Sequence, residues 1–215
     1  MPADRIHLIR HGEVHNPGGV LYGRLPHFRL SELGHEMAKS AASKVAETVS
    51  SDGRNVVKLL ASPLLRTQES AAPVATAFGL DVTTDERLIE PYNIFEGRKL
   101  SASHILIRPH LYYHLRNPQK PSWGEPYEAI AARMMSAIED AWNSVDSGDV
   151  VIVSHQLPIV MVQLTVAGKP LAHNPKQRRC SLSSITTLER QGNKFIEVGY
   201  VDTAANHKVI DRGAV

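Results

Sequence analysis

Two histidines, two arginines and a carboxylate stand where buried strands should end. Arg10-His11-Gly12-Glu13 follows the apolar run Ile6 to Ile9. Ser62-Pro63 follows Val56 to Ala61, with Arg66 just beyond; Glu90 follows Leu88-Ile89; Ser154-His155 follows Val150 to Val153. These residue types suit phosphate. A guanidinium carries a fixed fork of donors that matches phosphate oxygens, and it stays charged at any working pH. A neutral imidazole nitrogen can attack phosphorus and form a phosphohistidine. A nearby carboxylic acid can protonate the leaving oxygen. Arg66, in the first turn of an expected helix, opposes the helix dipole unless an anion sits close by.

These side chains need elements to hold them. Ile6 to Ile9, Val56 to Ala61 and Val150 to Val153 read as buried strands, and Val82 to Thr84 as a shorter extended piece. Ser31 reads as an N-cap, and Leu33, Met37, Ala41, Val45 and Val49 then recur every four residues, which predicts an amphipathic helix. Ser62-Pro63 reads as a second helix start, serine as cap and proline at the first helical position, with an end near Gly79. Helices are also expected over Tyr127 to Val145 and Leu157 to Val166. Ser183 to Leu188 and Phe195 to Val201 read as closing strands joined by a Gln-Gly-Asn turn, and the tail from Asp202 as loosely held. The alternation predicts an α/β fold, a three-layer αβα sandwich with a mostly parallel central sheet. Such sheets bind ligands outside the carboxyl ends of their strands, where the chemistry-bearing residues fall. One domain over residues 1–215 is expected. Its cap-like, less regular segment at about 91–124 includes a helix around Ser101 to Leu115.

Bulk properties remove other function classes. The 215 residues suit one domain with a sizeable core. Twenty-four basic against 22 acidic residues leave a formal charge of +2, which gives no reason to expect nucleic acid or an acidic membrane surface. The single cysteine, Cys180, cannot form an internal disulfide and fits a reducing compartment. No apolar run approaches the ~20 residues of a membrane span, and the charged N-terminus lacks a signal-peptide core. The expectation is a soluble, cytoplasmic protein whose partner is a small phosphorylated substrate, with homo-oligomerisation left open. Metal-ligand spacing such as HExxH is absent, the arginines and histidines can neutralise phosphoryl charge without a metal, and no cofactor is expected.

The pattern resembles the histidine phosphatase superfamily, also called phosphoglycerate-mutase-like. Arg10-His11-Gly12 resembles its RHG signature, and LSELGHEMA at 30–38 its L-[ST]-x-x-G-x-x-A helix start. ASPLLRTQESA at 61–71 resembles its S-x-x-x-R-x-x-x-[ST]-A segment, LIE at 88–90 the stretch carrying its acid, and VIVSHQLPI at 151–159 its second-histidine segment. One tripeptide is weak evidence; concordant segments in the right order are strong. The resemblance implies that His11 is the nucleophile, that Arg10, Arg66 and His155 form the phosphate pocket, and that Glu90 donates the proton. Two departures matter. The run from Glu90 to Glu96-Gly97 is one residue shorter than in many members, which leaves Glu96 as an alternative acid. Asn16 lies one residue closer to the nucleophile than the usual asparagine. Asn16, Tyr22, Arg24 and His27 are candidates for substrate contact, set against a purely structural turn. Glu125 is a candidate for the pocket rim or a helix N-terminal acid. The remaining histidines, among them His7, His35 and His104, read as packing or surface residues.

Three activities stay in view: a phosphatase releasing phosphate from the phosphohistidine, a mutase returning it to another hydroxyl, and a phosphate-binding module without catalysis. The paired arginines of cofactor-dependent phosphoglycerate mutases are missing from HLRNPQKPSWGEP, which has only Arg116 and Lys120. That favours the phosphatase. The presence of Arg10, His11, Arg66 and His155 together disfavours the non-catalytic module.

Overall fold

The computed structural model describes residues 2–99 and 124–205. The segment around Ser101 to Leu115, with His104, Arg116 and Lys120, and the tail beyond residue 205 lie outside the described residues. Within them the order is β1 (Arg5–Arg10), α1 (Glu32–Ser51), β2 (Val56–Ala61), α2 (Leu65–Phe78), β3 (Val82–Thr84), α3 (Tyr127–Asn143), β4 (Asp149–Ser154), α4 (Gln156–Val166), β5 (Ile185–Gln191) and β6 (Lys194–Val201). Short 3-10 turns occupy Glu86–Leu88 and Pro175–Gln177.

The strands form one sheet in the order β3-β2-β4-β1-β5-β6. The pairs from β3 to β1 are parallel, and β5 and β6 add antiparallel at the far edge. Side chains alternate between the two faces, and each face has its own core. Ile9, Leu59, Ala61, Val151 and Val153 pack with Ala41, Val45 and Val49 of α1 and Ala71 and Val74 of α2. Ile6, Leu8, Leu60, Val150 and Ile152 pack with Ile130, Met134 and Ile138 of α3 and Ile159 and Val162 of α4. This is the expected α/β sandwich with a mostly parallel sheet. Every residue of β4 is buried because helices cover both of its faces.

The chain crosses from β1 over β4 to β2, and from β4 over β1 to β5. The connections of β1 and β4 therefore leave in opposite directions and open a crevice at their carboxyl ends. Register makes that crevice tight: Arg10 pairs with Ser154, so His11 and His155 emerge side by side.

Local expectations met different fates. Ser31 caps α1, its side chain accepting from Gly34 N, and Gly79 closes α2 in the left-handed conformation with φ 65°. Ser62 does not cap α2. The helix starts later, with Leu64 at the cap position and no side-chain cap. The Ser62 hydroxyl is instead engaged by His155 Nε2 at 2.7 Å. Ser183 and Ser184 precede β5 rather than opening it; Ser183 has φ 56°, and the Ser184 carbonyl accepts from Arg10 N.

Candidate active site

Close backbone packing fixes the loop that carries His11. A Cβ on Gly12 would lie 2.4 Å from the Gly34 carbonyl oxygen, and one on Gly34 would lie 2.0 Å from that of Glu13. Only glycine at both positions lets the start of α1 lie flush against the loop. Glu13 Oε1 then accepts from Ser31 Oγ at 2.7 Å, and Gly12 N donates to Ser70 Oγ of α2 at 3.1 Å. The glycines of the two motifs thus serve one contact.

His11 and His155 stand edge to face, with ring centroids 5.3 Å apart. The Gly12 carbonyl lies 2.8 Å from His11 Nδ1. A carbonyl only accepts, so Nδ1 carries the proton and Nε2 keeps its lone pair. Burial, then Arg66, then Arg10 hold the His11 imidazole well below the ordinary histidine pKa, so it stays neutral. His155 is depressed as well, by burial first and then by Arg66, His11 and Arg10. Arg66 Nη2 lies 3.2 Å from His155 Nδ1 and can only donate, so His155 Nε2–H donates to Ser62 Oγ.

Both guanidiniums are almost wholly buried, at 1% exposure each. Arg10 Nη1 donates to the Cys180 carbonyl at 2.8 Å. Arg66 Nη2 also donates to the Gly23 carbonyl at 2.8 Å, and its guanidinium lies over the Tyr22 ring at 4.8 Å. Its Nε is buried with no hydrogen-bond partner among the described residues. A buried donor left open beside a second buried cation suits an incoming anion.

The two acid candidates separate. Glu90 is buried, and its Oε2 lies 3.5 Å from His155 Nδ1. Burial pushes its carboxyl pKa up, with Arg66 and Arg10 opposing in part. Glu96 turns to the backbone instead: its Oε1 accepts from Arg24 N and Asn93 N, both at 3.0 Å. That carboxylate organises the loop after Glu90.

The remaining candidates divide between rim and framework. Tyr22 reaches the site, its ring centroid 6.4 Å from that of His11. Asn16 bonds both ways to the backbone of Val20, at 2.8 and 3.2 Å, and so closes its own turn. Arg24 donates to the Glu90 carbonyl and pairs with Glu125. His27 is exposed in a turn with φ 69°. His7 lies within β1, its nitrogens taken by Asp149 and Thr187.

Two further arginines act on the site. Arg133 and Arg178 both act electrostatically on Glu90. Arg133 sits in α3 without a strand-end position to mark it, and Arg178 lies in a basic run, KQRRC, that looks like solvated surface. Among the described residues no group of three or more His, Cys, Asp or Glu could hold a metal ion, and no helix is long and apolar enough to cross a membrane.

Comparison with known proteins follows the same lines. An uncharacterised protein of Mycobacterium tuberculosis is 46% identical over 95% of this chain and 100% of that protein. A probable phosphoglycerate mutase of Erwinia tasmaniensis is 28% identical over 92% of this chain and 90% of its own. The solved structure of a phosphoserine phosphatase from Entamoeba histolytica, in complex with 3-phosphoglyceric acid, superposes with a TM-score of 0.74 at 19% identity, covering 92% of this chain and 96% of that one. At that identity the likeness concerns the fold. The sequence pattern of the histidine phosphatase superfamily (branch 1) matches residues 6–203, and the chain belongs to that superfamily.

Proposed function

We propose that the protein is a phosphatase that hydrolyses a phosphomonoester through a phosphohistidine on His11. The observation that carries this reading is the His11 ring. It is buried, kept neutral by that burial and by the charges of Arg66 and Arg10, and held by the Gly12 carbonyl so that Nε2 is the nucleophilic nitrogen. Arg10 and Arg66 neutralise the phosphoryl oxygens, with His155 alongside. Nε2 attacks phosphorus as the bond to the leaving oxygen breaks, and the Glu90 carboxylic acid gives that oxygen its proton. Water then attacks the phosphohistidine, the Glu90 carboxylate takes its proton, and inorganic phosphate leaves. The cations of the pocket supply the charge stabilisation, so no metal is invoked.

A second reading is a mutase, favoured by the probable phosphoglycerate mutase among the relatives. Against it stands the missing arginine pair between residues 114 and 126. One assay separates them. Purified protein is given phosphorylated metabolites, 3-phosphoglycerate included, and both free phosphate and positional isomers are measured. Stoichiometric phosphate release supports the phosphatase. Interconversion of 2- and 3-phosphoglycerate without phosphate release refutes it.

A further inference from the structure

Glu90 ends a short segment whose backbone is held by three other parts of the molecule. The carbonyl of Arg87 accepts from Arg133 Nη1, on α3. The carbonyl of Leu88 accepts from Ser154 Oγ, at the end of β4, at 2.8 Å. The carbonyl of Glu90 accepts from Arg24 Nε, in the loop after β1, at 2.5 Å. Glu125 joins the two guanidiniums. Its Oε1 lies 2.8 Å from Arg133 Nε, and its Oε2 lies 3.0 Å from Arg133 Nη2 and 3.2 Å from Arg24 Nη2.

The pairing of Glu125 with Arg133 is bidentate, which sets the plane of the guanidinium as well as its place. With Glu125 present, both arginines aim a remaining N–H at a carbonyl of the acid segment. Without it, two like charges would face each other across the same space and spread apart. These contacts reach the backbone and not the Glu90 carboxyl, which keeps its position 3.5 Å from His155 Nδ1. A proton donor works only within hydrogen-bond reach of the leaving oxygen, and misplacement by about 1 Å can cost roughly 100-fold.

We propose that Arg24, Glu125 and Arg133 are positioning residues, a charged clamp that fixes the Glu90 segment so that its carboxylic acid meets the leaving oxygen. The proposal rests on Glu90 being the proton donor. It assigns Arg24 and Glu125 to the alignment of the acid rather than to the grip on substrate, and it gives Arg133 a role that its place on a helix face does not suggest.

The test is a double-mutant cycle of Glu125→Ala and Glu90→Gln on two substrates, glycerol 2-phosphate and p-nitrophenyl phosphate. Proton donation matters for the alkoxide and little for p-nitrophenolate. Glu125→Ala should lower kcat/KM, which reports the phosphoryl-transfer step that needs the proton donor, about tenfold or more on glycerol 2-phosphate and by under about threefold on p-nitrophenyl phosphate. In the Glu90→Gln background it should add almost nothing on glycerol 2-phosphate, because the donor is already gone. Glu125→Gln, which keeps one acceptor oxygen, should fall between. Arg24→Gln, at the more exposed end of the clamp, should show the same contrast if Glu125→Ala fails to fold. Equal losses on both substrates, or effects that multiply fully with Glu90→Gln, would mean that the clamp only stabilises the fold, and would overturn the proposal. If Glu90→Gln itself shows no dependence on the leaving group, the assignment of the acid has failed, and the proposal falls with it.

Discussion

The two ends of β1 and β2 treat the arginines beside them in opposite ways. At the amino end, arginines meet carboxylates. Arg5 pairs with Asp52 at 2.8 Å and with Glu189, and Arg54 pairs with Asp52 at 2.7 Å and with the fully buried Asp149 at 3.0 Å. His7 is held there too, Nε2 at 2.9 Å from Asp149 and Nδ1 at 3.0 Å from Thr187 Oγ1. At the carboxyl end, Arg66 is held by a carbonyl, a histidine nitrogen and an aromatic face, and Arg10 donates to a carbonyl. Such dipolar acceptors fix the Arg66 guanidinium without cancelling its charge. The acid among them, Glu90, is pushed toward its neutral form by burial. One end is therefore balanced, while on the proposed reading the other keeps positive potential for a phosphate. His7 and His11 share one strand and its extension, yet their partners give them different work.

The comparison breaks most visibly at Arg66. Arg66→Met keeps most of the volume and removes the charge. Its kcat/KM should fall by roughly 1000-fold or more, the scale of losing a principal electrostatic contact to the transition state. Its melting temperature should hold or rise, since a buried cation with no carboxylate hydrogen bond among the described residues is removed. A large loss of stability with modest loss of rate would show that Arg66 is framework.

Glu90→Gln should lower kcat/KM for alkyl phosphates by roughly 100-fold and for p-nitrophenyl phosphate much less, since kcat/KM reports the step in which the leaving oxygen takes its proton. The pH profile sharpens this. His11 is depressed, so its neutral form survives well below pH 6.5 and the acidic limb lies low. Glu90 is raised above 4.5, so its protonated form persists to higher pH and activity falls as pH climbs through its pKa. In Glu90→Gln that alkaline limb should vanish for alkyl substrates. Glu96→Gln should show neither effect. The reverse pattern would move the acid role to Glu96.

Asp149→Asn probes the balanced end. It leaves Arg54 and His7 without their shared carboxylate, and should cost about 3 kcal/mol or more in denaturant unfolding while kcat stays near wild type. Loss of activity in the folded variant would mean that the two ends are coupled. The smallest effect is expected from EDTA. On the proposal that guanidiniums supply the charge, dialysis against chelator should leave turnover unchanged, and restoration by a divalent ion after its loss would refute that.

Much of this arrangement was legible in the sequence because strand ends are. Apolar runs marked β1, β2 and β4, and a parallel sheet presents whatever follows them along one edge. Arg10, His11, Arg66 and His155 were found in that way. What escaped depends on contacts between distant segments. Ser62-Pro63 had the local form of a helix cap, but a histidine 93 residues further on takes the hydroxyl. Glu90 and Glu96 look alike on paper and separate only when one is buried beside His155 and the other bonds to backbone N–H groups. Arg133 carries no local signal at all: its partners are Glu125 and the Arg87 carbonyl, which folding brings to it.

The central claim is that His11 becomes phosphorylated during turnover. Protein mixed with a substrate that it turns over, quenched in alkali within the first turnovers and digested, should carry acid-labile phosphate on the peptide containing His11. The account predicts that label on the wild type, its decay with release of inorganic phosphate, and neither label nor turnover in a folded His11→Ala variant. Wild-type turnover by His11→Ala, or stable phosphate on another residue, would contradict it.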